Sequence, residues 1–246
     1  MGWLLDRVGF VRSLLFTIPL IYLYTIAMGL ASWLVSPFDP QGTRQHGCAR
    51  LWSRLILATC LARVRLRGLE KLEPGKHYVY ISNHQSYLDI PILFAHLPVP
   101  FRIMAKASLF PIPFLGWHLR RTGHLPIGRT NPLASARRLL QAVNYIRQGH
   151  SVVVFAEGGR SISGRIEEFK TGIFLAAIKM GAPVVPVTIA GSRRLLPSHS
   201  WHIRPGRVEV IIDSPVATAG LDKSQLDELV ARVRQRIEEN FRGASL

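Results

Sequence analysis

An imidazole and a carboxylate stand five residues apart in the run Asn83-His84-Gln85-Ser86-Tyr87-Leu88-Asp89, and a basic segment, Glu157-Gly158-Gly159-Arg160-Ser161, lies further along the same chain. A histidine can take the proton of an alcohol near neutral pH, and a nearby carboxylate can fix its tautomer and stabilise the imidazolium that forms. With a phosphate-friendly loop in addition, the combination points to acyl transfer onto a phosphorylated alcohol, and no serine nucleophile is then required. Positions five apart do not share a face of a regular helix. His84 and Asp89 can therefore meet only across a turn, with Asp89 in the first turn of a helix that runs on through Pro91. A plainer alternative has Ser86 or Asp89 capping that helix while His84 merely packs.

The elements that must position these residues are short. Runs at 78–82, 152–155, 184–189 and 208–212 are β-branched or aromatic and bounded by Gly or Pro turns, as buried strands are. His84 follows directly on the first of them, which puts it at a strand's carboxyl end, the usual place for a site in an open α/β sheet. Asn131-Pro132 opens a helix with apolar positions Leu133, Leu139, Leu140, Val143 and Ile146, and Gly149 closes it. A second helix spans about 171–180 and stops at Gly181. In a third, Leu226, Leu229, Val230, Val233, Ile237 and Phe241 share one face. The expected class is α/β, a mixed sheet flanked by helices, preceded by a hydrophobic and amphipathic helical membrane anchor.

A chain of 246 residues holds one full-sized core plus an attachment, and the expected division is 1–66 for the anchoring helices and 67–246 for a catalytic domain. Residues 13–38 carry no charged side chain, enough for the roughly 20 residues that cross a bilayer. The stretch is longer than the apolar core of a signal peptide. Residues 44–66 mix arginines with Leu51, Trp52, Leu55, Ile56, Leu57 and Leu61 and read as a basic amphipathic helix in the headgroup layer. Lys and Arg outnumber Asp and Glu by 31 to 15, so the partner is anionic. No zinc-finger spacing, basic heptad helix or RNA-binding signature is present, so the polyanion is not nucleic acid; anionic membrane lipids or a phosphorylated substrate fit instead. Cys48 and Cys60 are the only cysteines and build no disulfide framework.

Further motifs follow in order: Lys106-Ala107-Ser108-Leu109-Phe110-Pro111-Ile112-Pro113-Phe114-Leu115-Gly116, Gly123-His124-Leu125-Pro126-Ile127-Gly128-Arg129, Phe155-Ala156-Glu157-Gly158-Gly159-Arg160-Ser161, Phe169-Lys170-Thr171-Gly172 and Val185-Pro186-Val187-Thr188-Ile189. As an ordered set over about residues 64–215 they closely resemble those of the 1-acylglycerol-3-phosphate acyltransferases. The family's usual Phe-Pro-Glu-Gly-Thr-Arg-Ser segment has Ala156 for the proline and Gly159 for the threonine here.

The resemblance implies that His84 is the general base and Asp89 its orienting partner. It implies that Arg129 and Arg160, with Lys106, hold the acceptor phosphate, that Glu157 and Gly158 shape the acceptor pocket, and that Pro186 packs near the acyl-donor channel. The reaction it implies moves a fatty acyl group from acyl-CoA or acyl-ACP to the sn-2 hydroxyl of lysophosphatidic acid, giving phosphatidic acid, with no bound cofactor and no metal. The expected location is a membrane, with the catalytic domain on the cytoplasmic face. Other readings are acyl transfer to a different lysolipid and a noncatalytic lipid-binding protein. A serine hydrolase using Ser86 fits less well, because the chain has no G-x-S-x-G elbow.

Overall fold

The computed structural model describes residues 2–245 apart from 129–137, 140, 143 and 147, with the backbone alone for 2–5. Seven strands are found among the described residues: β1 Ala62–Arg67, β2 Val79–Ser82, β3 Phe101–Lys106, β4 Leu125–Ile127, β5 Ser151–Phe155, β6 Val184–Ala190 and β7 Gly206–Ile212. They form one mixed sheet in the order β1-β7-β6-β2-β5-β3-β4. From β6 to β4 every neighbouring pair is parallel, while β7 runs antiparallel to β6 and β1 parallel to β7. The carboxyl ends Ala190, Ser82, Phe155, Lys106 and Ile127 consequently fall on one edge of the sheet.

The helices are α1 Gly2–Arg12, α2 Ile18–Val35, α3 Thr43–Thr59, α4 Asp89–His96, α5 Leu115–Arg121, α6 Gly172–Met180, α7 Ser192–Leu195 and α8 Leu226–Arg242. Alternation along the strands splits the apolar residues into two layers. Tyr78, Tyr80 and Val153 pack with Ile56 of α3 and Ile92 of α4. Val79, Ile81 and Val152 pack with Phe174 of α6 and Val233 of α8. All four residues of β2 are buried, so the strand that delivers His84 is fixed from both faces. The helix expected to begin at Asn131-Pro132 starts outside the described residues, as do its Leu133, Leu140 and Val143; residues 138, 139, 141, 142 and 144–146 are helical.

Two differences from the sequence reading have physical causes. The amphipathic helix expected over 44–66 ends at Thr59, and after Leu61, at φ 53°, the chain becomes β1. Arg63, Arg65 and Arg67 are exposed and alternate with half-buried Ala62, Val64 and Leu66, a period of two that belongs to a strand. Strands β3 and β4 were not anticipated. Arg102, in the middle of β3, is buried and donates to the Gln41 carbonyl at 2.7 Å, so a charged residue interrupts an otherwise legible apolar run.

At the N-terminus a π-helical turn, Ser13–Thr17, joins α1 to α2. Its wider loop precedes Pro19, which lacks an amide proton and crowds the carbonyl four residues back. Residues Asp6–Phe38 form a 33-residue helical stretch long and apolar enough to cross a membrane by length and composition, and its most apolar window is only 11% buried. Where this stretch does meet the domain, Gly29 allows it: a Cβ there would lie 2.6 Å from the Phe114 Cβ and 3.0 Å from its backbone. Gly29→Ala must therefore separate α2 from α5, and overpacking of this kind costs about 1–3 kcal/mol. Urea unfolding in detergent micelles should show the loss as a lower midpoint; an unchanged midpoint would mean that α2 does not bear on Phe114.

Candidate active site

Leaving β2, the chain makes a tight turn and enters α4. Asp89, wholly buried at the start of that helix, turns its carboxylate back over the turn. Its Oδ2 accepts from Gln85 N at 2.7 Å, from Ser86 N at 2.8 Å and from His84 Nδ1 at 2.8 Å. A carboxylate can only accept, so Nδ1 carries the proton and the Nε2 lone pair is left to meet a hydroxyl. The His84 ring lies flat on Phe155, with centroids 3.9 Å apart and planes 15° apart, which fixes its second degree of freedom. The plainer packing alternative is thus not what the turn does.

Ser86 is buried, donates through Oγ to the Leu196 carbonyl at 2.8 Å and accepts from Leu88 N at 3.1 Å. Both bonds are structural, and the hydroxyl is not presented to a substrate. Asn83 exchanges two bonds with the backbone of Ile189, at 2.9 and 2.8 Å, and ties the turn to β6.

Adjacent β5 delivers Glu157, but the side chain points inward. Its Oε1 accepts from His84 N at 2.6 Å and its Oε2 from Glu167 N at 3.0 Å. Burial pushes the Glu157 carboxyl up to about 7, against these two amide bonds, which favour the ion; the charges of Glu167 and Asp89 add to the rise. Gly158 occupies the left-handed region, φ 71°, at the turn out of β5, a conformation that favours glycine. Ser161 N then donates to the His84 carbonyl at 2.8 Å, so the basic segment is stitched directly to the histidine.

Arg160 stands over Tyr87, with its guanidinium carbon 3.3 Å from the ring centroid. Its buried Nη1 has no hydrogen-bond partner among the described residues, which leaves donor capacity for an anion. Lys106 is exposed at the carboxyl end of β3, on the same sheet edge. Arg129 lies outside the described residues, two positions past the end of β4.

Tyr87, Ile90 and Pro91 also line an apolar cavity of about 210 Å³ that runs on past Phe94 toward Met28 and Trp52 of the N-terminal helices. Pro186 is buried in β6. Its neighbours Val185 and Val187 belong to the layer with α3 and α4, so by alternation Pro186 faces the other layer, away from this cavity. The sequence reading did not single out Phe155, Tyr87, Asn83 or Glu167. For Phe155 a signal existed: it is the register partner of Ser82, two residues before His84.

Three comparisons bear on this arrangement. A protein-family model described as Acyltransferase matches residues 63–190. A 1-acyl-sn-glycerol-3-phosphate acyltransferase of Chlamydomonas reinhardtii is 35% identical over 235 residues, 94% of this chain and 68% of that protein. The enzyme of that name from Escherichia coli K12 is 30% identical over 209 residues, 85% of this chain and 83% of that one. A chloroplastic relative from Arabidopsis thaliana is 35% identical over 207 residues, and this chain spans 56% of its length. The crystal structure of the 1-acyl-sn-glycerophosphate (LPA) acyltransferase PlsC from Thermotoga maritima superposes with a TM-score of 0.83 over 98% of this chain and 99% of that one, at 23% identity; that likeness is one of fold.

The Glu157 carboxyl sets a test of the geometry. Its folded value of about 7 lies above the unfolded 4.5, so between those values the native state keeps a proton that the unfolded chain has released, and stability falls as pH rises through that window. At about 1.4 kcal/mol per unit the loss is up to about 3 kcal/mol. Buried His46, His118 and His124, whose values burial lowers, make stability rise with pH in both proteins. In urea unfolding the change from pH 5 to pH 8 should therefore be less favourable in the wild type than in Glu157→Gln by about 3 kcal/mol; equal pH dependence in both would mean that Glu157 is not held as described.

Proposed function

Because this chain belongs to the 1-acyl-sn-glycerol-3-phosphate acyltransferase family, we propose that it transfers a fatty acyl group from acyl-CoA or acyl-ACP to the sn-2 hydroxyl of lysophosphatidic acid, yielding phosphatidic acid for phospholipid synthesis. The observation that carries this reading is the 2.8 Å contact between His84 Nδ1 and Asp89, placed between a basic loop and an apolar cavity.

In the proposed reaction, the acceptor phosphate rests on Arg160, with Lys106 and Arg129 as further cations. The phosphate carries up to two charges, and cations on separate loops hold its neighbouring hydroxyl in place, which supplies much of the rate. His84 Nε2 takes the hydroxyl proton as the oxygen attacks the thioester carbonyl. The tetrahedral intermediate then expels the thiolate, which recovers that proton from the imidazolium, and Asp89 stabilises the imidazolium in between. The products are an ester and a free thiol. The thioester supplies the driving force, so the proposal uses no metal and no resident cofactor.

The acyl chain would lie in the cavity beside Tyr87. Phe10, Leu14, Leu15, Phe16, Tyr22 and Leu23 are exposed along the first two helices and the π turn, an apolar surface larger than a water-facing helix carries. They would enter the bilayer that holds both acceptor and product, with the arginines on anionic headgroups and the catalytic domain on the cytoplasmic face.

Labelled acyl transfer from acyl-CoA and acyl-ACP to a panel of lysolipids, with wild type beside His84→Ala, tests the reading. The expected product is phosphatidic acid, reduced by about 10²–10⁴-fold in the variant. Turnover that survives in His84→Ala but not in Ser86→Ala would sink the direct-transfer mechanism, and transfer to a different lysolipid alone would replace the acceptor.

A further inference from the structure

The segment between α7 and β7 fastens the catalytic turn to the N-terminal helix. At its start, Ser86 Oγ donates to the Leu196 carbonyl at 2.8 Å, and Ser86 forms a backbone bridge with Pro197. At its end, Ile203 is clasped from the helix side. Arg12 Nη2 donates to its carbonyl at 2.8 Å, and Ser13 Oγ accepts from its amide at 3.0 Å. Asp6 Oδ1 lies 3.3 Å from Arg204 Nη2 and 3.6 Å from His202 Nδ1, and the His202 ring meets Phe10 edge-on with centroids 5.8 Å apart.

Between these fastenings His199 and Trp201 are turned out, and of the two Trp201 is the large apolar one. His202 and Ile203 are buried, yet Trp201 is 63% exposed. An indole has a large apolar body and a single N–H donor, a combination that suits the boundary between headgroups and acyl chains rather than water. Its surroundings have the same character. Through the contact between His202 and Phe10 the loop is continuous with the exposed surface of Val8, Phe10, Val11, Leu14 and Leu15.

We propose that Trp201 is an interfacial anchor for a lipid bilayer, and that the loop 196–204 thereby fixes the depth and tilt of the His84–Asp89 turn against the membrane. The proposal rests on the bilayer attachment put forward under the preceding heading. It concerns a segment far from the apolar helices in sequence, in which the indole binds lipid while buried His202 and Ile203 after it and Leu196 before it transmit its position. Because the proposal has Trp201 act through the loop and not on the reacting atoms, it is a positioning residue.

The full-length protein is mixed with vesicles of phosphatidylcholine and phosphatidylglycerol, with and without bromine on acyl carbons near the headgroup. The emission difference between wild type and Trp201→Phe isolates Trp201. Bromolipid should quench that difference, and vesicles should shield it from aqueous iodide. Trp201→Ala should raise the KM for a vesicle-borne acceptor by roughly tenfold, from the lost apolar burial, while turnover of a short-chain acceptor in solution stays within about twofold. If the protein floats with vesicles but Trp201 is quenched by iodide and not by bromolipid, or the KM is unmoved, the anchor is wrong and bilayer attachment stands. If the wild type does not float, the attachment and the anchor fall together.

Discussion

A carboxylate shut away from water must find its donors inside the protein, and Asp89 finds three on one oxygen: two amides of the turn and the ring of His84. That requirement shapes much around it. The turn can close only if β2 ends where it does and α4 starts at Asp89, and β2 is held in place because both of its faces are packed. Asn83 then ties the same turn to β6, Ser86 ties it to Leu196 just past α7, and Glu157 ties it to β5. The histidine is oriented by a structure that would be costly to disassemble, so its ring is held to point one way.

The site is also a boundary between two kinds of surface. On one side stand Arg160 and, at the end of β3, Lys106; on the other is an apolar cavity whose lining is shared by α4 and the N-terminal helices. Tyr87 belongs to both, with its ring under Arg160 and its flank on the cavity. Under the proposed function, the charged head and the apolar tail of the acceptor would be received by parts that meet at one aromatic ring, beside the imidazole.

Much of this could be read from the chain alone. The spacing of His84 and Asp89, set after an apolar run, required a turn, and the turn is there. The charged members of the later loop, Glu157 and Arg160, were legible because their residue types state their charge. What stayed hidden depends on partners distant in sequence. Glu157 accepts from an amide 73 residues away and from one 10 residues away, and no local pattern announces an inward-turned carboxylate. Strand β1 was mistaken for the end of a helix because alternating arginine and aliphatic residues satisfy a loose amphipathic count until the period is taken as two. Strand β3 was missed because Arg102 is buried by a carbonyl of the chain between α2 and α3.

The two borders of the sheet are guarded in different ways. The outer strand β1 presents Arg63, Arg65 and Arg67 in alternation, and β4, at the opposite border, is three residues long with Pro126 in the middle. Like charges repel and a proline offers no amide to a foreign strand. Unguarded borders would join neighbour to neighbour into ribbons wherever a protein is concentrated. Each border thus withholds the template on which a second copy of the chain could add a strand.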